Sequence, residues 1–202
     1  IGSLYKKTTV NQLAIGALLF VGIWANLDSL YQIMPRGETY AAGFTIVIII
    51  GGVKIMDMLF GPNSEILVLS KYYWFHTSAL IGMIIISITL NYLLIPKYGI
   101  MGAAIATGVT YFIFNLTKLS FIYVKLKMQP FTIGCVKILV ISVLAILLNY
   151  WLPSLKNSYL DIFYRSTLIG FFYITLLILS RSSSEINDLS RKGLTTIKSL
   201  WK

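Results

Sequence analysis

Chemistry-bearing side chains are scarce in this chain. Its 202 residues include one cysteine and one histidine, which leaves no disulfide within the chain and no cysteine–histidine spacing for a metal. Cys135 lies inside an apolar run and reads as a small packed hydrophobe. Acidic residues number seven, and no two of them share an apolar setting with a base beside them, so the usual general acid–base pair is missing. No glycine-rich loop runs into a Lys-Ser or Lys-Thr pair, so the chain does not couple to ATP by itself. The expectation is a protein that is not an enzyme and carries no cofactor. Charged residues of both signs amount to 12% of the chain, against about a quarter in soluble domains.

What fills the space is hydrocarbon. The composition is 57% hydrophobic with a mean hydropathy of +0.80, which predicts an all-α, polytopic transmembrane bundle. Apolar runs of about 20 residues, the length that crosses hydrocarbon as a helix, give six expected spans. They are Val10–Leu27, Ala41–Phe60, Tyr72–Ile95, Ile100–Val124, Ile133–Leu152 and Tyr164–Leu179. Ile1–Thr9 is a basic lead-in, and Asp28–Tyr40 and Ser154–Phe163 are polar loops. Residues 181–202 form a basic tail whose Ile186, Leu189, Leu194, Ile197 and Trp201 would make one side of an amphipathic helix. The chain starts at Ile1, with no signal-peptide pattern before the first span. It reads as the C-terminal part of a longer chain.

A net charge of +10 would suggest nucleic acid in a soluble protein, but here the cations cluster at the ends of apolar runs. No nucleic-acid partner is expected. Six crossings put Lys6, Lys7, Lys71, Lys125, Lys127, Lys137, Arg181, Arg191, Lys192, Lys198 and Lys202 on one side. Arg36, Lys97, Lys156 and Arg165 fall on the other. That asymmetry makes both ends of the segment cytoplasmic, with anionic lipid as a neighbour. Tyr31, Tyr40, Tyr72, Tyr73, Trp74, Tyr92, Tyr98, Tyr150, Trp151, Tyr159 and Tyr164 gather near span ends, as an interfacial belt does.

The stretch from Asn91 to Gly108, NYLLIPKYGIMGAAIATG, organises the rest. The apolar run is expected to stop at Pro96, which lacks an amide donor and clashes with the preceding turn. Gly99 frees the turn. Gly102, Ala103, Ala104, Ala106 and Gly108 then let a second helix approach a neighbour closely. The prediction is a tight hairpin between two spans.

LIPKYGIMGAAIAT closely resembles the hallmark of the bacterial polysaccharide flippases, in the multidrug/oligosaccharidyl-lipid/polysaccharide exporter superfamily. In that family such a segment joins the eleventh and twelfth transmembrane helices. GPNSEILVLSKYY (Gly61 to Tyr73) and KLKMQPF (Lys125 to Phe131) match as well, in order, so the resemblance runs from roughly Asn11 to Phe131. It implies a two-lobed bundle, usually of fourteen helices, rocking about a central cavity. Residues 1–131 would give four helices of the C-terminal lobe, 132–180 two peripheral helices and 181–202 the cytoplasmic tail. The implied activity is alternating-access export of a lipid-linked oligosaccharide, undecaprenyl-pyrophosphate-linked, across the bacterial inner membrane for capsule, O-antigen (lipopolysaccharide) or exopolysaccharide. The implied energy source is a proton or sodium gradient. Implied partners are the missing N-terminal lobe of the same protein and polysaccharide-assembly proteins. A drug or peptidoglycan-precursor exporter would share the fold. A membrane glycan-assembly enzyme should carry catalytic groups in a large outer loop, and a structural subunit would need no cavity groups.

The candidate substrate-binding residues are Lys54, Asp57, Asn26, Asp28 and Lys118. Lys54 and Asp57 interrupt the second span three residues apart, on one helical face where they can pair. Ionisable groups inside a span point to function by default, and Lys54 could meet an anionic head; the plainer reading is a snorkelling lysine in a structural pair. Asn26 and Asp28 line a cavity mouth or end a solvated helix. Lys118, with Asn115 nearby, is a cavity cation or an interfacial one. His76 reads as a hydrogen-bonded packing residue or a proton relay. Glu65 could join a gate. The hinge and packing set is Pro96, Gly99, Gly102, Ala103, Ala104, Gly61 and Pro62.

Overall fold

The computed structural model describes residues 1–41 and 43–182; the expected amphipathic tail from Ile186 to Trp201 lies outside the described residues. All regular structure among the described residues is helical. The elements are α1 (Gly2–Ile33), α2 (Gly37–Ala41), α3 (Phe44–Phe60), α4 (Asn63–Val68), α5 (Tyr73–Leu126), α6 (Ile133–Trp151) and α7 (Ser158–Leu179). Among them α1, α5, α6 and α7 are long and apolar enough to cross a membrane. That is four helices where hydropathy predicts six spans. Two differences account for it: α3 has 17 residues, and two expected spans fall within the single element α5.

α5 is 54 residues long, which as a straight rod would reach roughly 80 Å. It does not run straight. Gly99 alone leaves helical geometry, at φ 56° and ψ −136°, a region that L side chains rarely enter. Beyond it the chain returns along itself. Phe75 and Phe121 stack with ring centroids 3.7 Å apart, Tyr72 lies edge-on to Phe121, and a Cβ on Gly102 would overlap the Leu94 carbonyl. The limbs 73–98 and 100–126 therefore lie antiparallel. The expected stop at Pro96 is corrected, because the helix passes through Pro96 and reverses at Gly99. A proline forfeits one hydrogen bond and bends a helix, whereas a reversal needs a backbone conformation that glycine supplies.

Polar residues extend helices beyond the apolar runs. α1 begins at Gly2 and carries Lys6 and Lys7. The predicted loop from Ser154 to Phe163 is half helix, since the Asn157 side chain accepts from the amides of Tyr159 and Leu160 at 3.0 and 3.4 Å and starts α7 there. Hydropathy reads where lipid is, not where hydrogen bonding ends.

α1 is the centre of the bundle, touching α3, α6 and α7. Its buried stripe Val10, Leu13, Ala14, Ala17, Val21 and Ala25 meets Cys135, Ile138, Ile141 and Ala145 of α6 and Ile169, Tyr173 and Leu177 of α7. Recurrence every three or four residues makes each stripe one helical face. The alanines allow close approach, which drives association where lipid removes the hydrophobic incentive. Tyr173 Oη donates to the Ala14 carbonyl at 2.9 Å, a bond worth about 1 kcal/mol. A smaller cluster joins Tyr5, Leu67 and Ile122. On the far side, no residue of 73–98 is buried.

Side-chain partners fix the directions. α1 runs antiparallel to α3 (Phe20 meets Gly51, Thr9 meets Gly61) and to α7 (Asn26 to Ser166, Ser29 to Asp161). α3 runs parallel to the second limb of α5, with Val53 against Gly108 and Asp57 against Asn115. One end of the bundle thus gathers Lys6, Lys7, Thr132 and Ser182 around a shared recess. The other joins Gln32 to Ser158 at 2.7 Å. Lys137 donates to the Ser180 carbonyl at the first end, and Lys156 lies beside Gln32 and Ser158 at the second. Tyr92, Tyr98, Tyr150, Trp151 and Tyr159 stand exposed toward the second end, Tyr73 and Trp74 toward the first.

Candidate functional site

Lys54, Asp57 and Lys118, charges that interrupt apolar helices, lie where α3, α4 and the second limb of α5 meet. Gly61 ends α3 at φ 68°, packed so tightly on Thr9 that a Cβ would overlap its hydroxyl. Pro62 precedes α4, and together they turn the chain so that Asn63 is held by Tyr5. The one hydroxyl proton of Tyr5 is shared between Asn63 Oδ1 and the Phe60 carbonyl. The next residue, Ser64, faces the second limb. On that limb Gly102, Ala104 and Ala106 are buried and Ala103 is half-buried. At Gly108 a Cβ would come within 3.1 Å of Val53 Cγ2. The small-residue segment thus seats its limb on α3.

Three polar contacts climb this seam. Lys54 Nζ lies 4.9 Å from the centre of the Tyr111 ring. Asn115 Nδ2 donates to Asp57 Oδ1 at 2.7 Å. Lys118 Nζ donates to Ser64 Oγ at 2.9 Å and sits 4.0 Å above the Phe114 ring, a cation–π contact. Lys118 is only 3% exposed. Phe114 in turn neighbours His76, ring centroids 6.1 Å apart, and His76 Nδ1 is buried without a partner. A second lone pair of Asp57 and two donors of Lys118 are left over from these contacts, so the seam is polar and incompletely used.

The expected Lys54–Asp57 pairing does not form. Among the described residues the one ion pair is Arg165–Asp161, and each member of the α3 pair turns to α5 instead. Packing against α5 gives Lys54 the Tyr111 ring and Asp57 the Asn115 amide. Lys54, Asp57 and Lys118 are brought together, whereas Asn26 and Asp28 are not. Asn26 is buried between α1 and α7, donating to the Gly22 carbonyl at 2.7 Å and to Ser166 Oγ at 3.0 Å. Asp28 is exposed on α1, beside Tyr31, Glu38 and Ser154 in an open recess. Glu65 is exposed on α4. The hinge set divides: Gly99, Gly61 and Pro62 make the turns, Gly102 and the alanines pack, and Pro96 is exposed within helix.

Sequence reasoning missed a second polar centre. Asp161 accepts from Ser29 Oγ at 2.6 Å, from Arg165 Nε at 2.8 Å and from the Leu155 amide at 2.9 Å. Arg165 also donates to Asn149 Oδ1 at 2.6 Å and to the Leu152 carbonyl at 3.4 Å. This clasp joins α1, α6, α7 and the loop between the last two, with its donors and acceptors matched, which is the pattern of a structural network. The four-residue spacing of Asp161 and Arg165 was the available signal.

Chemically, the α3–α5 seam can bind and orient an anionic or hydroxyl-rich group. Comparison with protein-family models, with curated proteins and with solved structures finds no match to this chain.

Proposed function

We propose that the chain is part of a membrane transporter, a flippase that moves a lipid-linked oligosaccharide across the bacterial inner membrane for surface-polysaccharide synthesis. In this reading α3 and the two limbs of α5 join α1, α6 and α7 as six crossings, and both ends of the segment are cytoplasmic. The LIPKYGIMGAAIAT resemblance supplies the transporter class. The observation that carries the reading is the polar seam of Lys54, Asp57, Asn115 and Lys118 inside helices that are otherwise apolar. Charges at that depth are expensive and persist where they line a path or pair with one another, and here they are only partly paired.

The seam would meet the phosphate and sugar of the substrate, while its hydrocarbon stays outside the seam on the lipid side. Lys54 is the exposed cation and takes the anionic head. Lys118, fixed between Ser64 and Phe114, couples α4 to the second limb of α5, so motion of the limb would move the seam. The limb 73–98, none of whose residues is fully buried, would turn its open side to lipid or to the missing N-terminal lobe. Energy would come from a proton or sodium gradient.

The test is complementation with the complete reading frame in a strain lacking its polysaccharide flippase. Restored surface polymer, lost with Lys54→Ala at unchanged membrane abundance, is the expected outcome. No restoration despite normal insertion would reject the polysaccharide substrate, and the lipid-linked peptidoglycan precursor would be tried next.

A further inference from the structure

Lys54 stands at the side of a groove that the polar seam does not explain. Between α1 and α3 lies a cavity of about 450 Å³, lined by Leu19, Phe20 and Ile23 on one wall and by Ile46, Ile50 and Lys54 on the other. The size is that of a small-molecule site. Every lining side chain named is apolar except Lys54, and Leu19 and Ile23 are exposed, so the groove opens sideways to whatever surrounds the bundle. Its position along α3 sets a polarity. Lys54 is six residues before the Phe60 end, about 9 Å, and Ile46 is a further eight residues away, about 12 Å toward the opposite end. The cation therefore lies in the part of the groove nearer the lysine-rich face, with only Met58 one turn beyond it, and the longer stretch of hydrocarbon wall runs from it toward the other end of α3.

Lys54 has no ion-pair partner among the described residues; its Nζ rests over Tyr111, on the seam. One side chain thus belongs to both the polar seam and the apolar groove. A ligand that satisfies both must be amphiphilic, with a negative head at Lys54 and a chain directed away from it.

We infer that the α1–α3 groove holds the hydrocarbon tail of the transported lipid while its phosphate meets Lys54. This rests on the flippase reading and adds to it the path of the tail. Charge complementarity at Lys54 and continuity with the seam select a phosphate-headed lipid over a neutral one.

The experiment uses the full-length protein in nanodiscs with a polyprenyl monophosphate carrying a diazirine in its tail, and maps the crosslinks by mass spectrometry. Crosslinks should fall on Leu19, Phe20, Ile23, Ile46 and Ile50, and be chased by unlabelled polyprenyl monophosphate but not by equal phosphatidylglycerol. Lys54→Gln should lower the yield about tenfold, the effect of losing one hydrogen bond to a charged group, and Lys54→Arg should restore it. Equal chase by phosphatidylglycerol would overturn the inference in favour of a resident bilayer lipid, and crosslinks confined to other helices would overturn it outright. The wild-type chase decides the question even if Lys54→Gln fails to insert. Complementation run in parallel separates the two levels: export without groove labelling removes the tail path alone, and no export removes the reading beneath it.

Discussion

Gly102 lies flat against the Leu94 carbonyl across the reversal of α5, with no room for a side chain between them. The contact fixes how tightly the two limbs close, and it is made with backbone, which cannot rotate aside. Gly102→Ala should destabilise the protein by about 1–3 kcal/mol through overpacking. Gly22→Ala, where a Cβ meets nothing within 4 Å, should be neutral or stabilising by about 0.5–1 kcal/mol. Thermal unfolding in detergent compares the two. Equal behaviour would mean that the limbs do not close as described.

The reversal itself belongs to Gly99 and not to Pro96. Gly99→Ala must enter a region reserved for glycine and should cost about 1–3 kcal/mol. Pro96→Ala restores an amide in continuous helix and should leave stability unchanged or raised. The opposite order of the two variants in the same assay would return the hinge to the proline.

Much of this was open to sequence reading, and the failures have physical causes. The fold-back at Asn91–Gly108 is written locally, in a proline, a positive-φ glycine and a run of small residues, so it could be read from one stretch. Helix ends could not, because α1 continues through Lys6 and Lys7 and α7 starts at an Asn157 cap, features that hydropathy does not register. The partners of Lys54, Asp57 and Lys118 were beyond reach for a different reason. Tyr111, Asn115 and Ser64 each lie more than 50 residues away, on a helix whose rotation only packing decides. Asn26 shows the same limit: its sequence position suggests a helix mouth, but its neighbour is Ser166 of α7.

The Asp161–Arg165 clasp should behave as a structural element. Arg165→Met leaves a buried carboxylate with one charged partner removed, and should cost about 3–5 kcal/mol. Restoring shape and neutrality with Asp161→Asn on top of it should recover part of that loss. Denaturant titration of both variants measures it. A single variant as stable as the parent would show that the carboxylate is solvated.

Lys118 separates stability from transport. It is buried with a hydroxyl and a ring but no carboxylate within ion-pair distance. Lys118→Met removes a cation that is costly to bury and should leave stability equal or raise it by about 1 kcal/mol, while export falls. A less stable variant with normal export would make Lys118 a structural residue.

The decisive measurement is translocation itself. Full-length protein in proteoliposomes, given a fluorescent lipid-linked oligosaccharide and an imposed proton or sodium gradient, should move the lipid to the opposite leaflet. Lys54→Ala, reconstituted to the same density, should reduce that movement to the level of empty vesicles. Movement by Lys54→Ala at the parental rate would remove Lys54 from the path. No movement by correctly inserted parental protein, under either gradient, would contradict the flippase account.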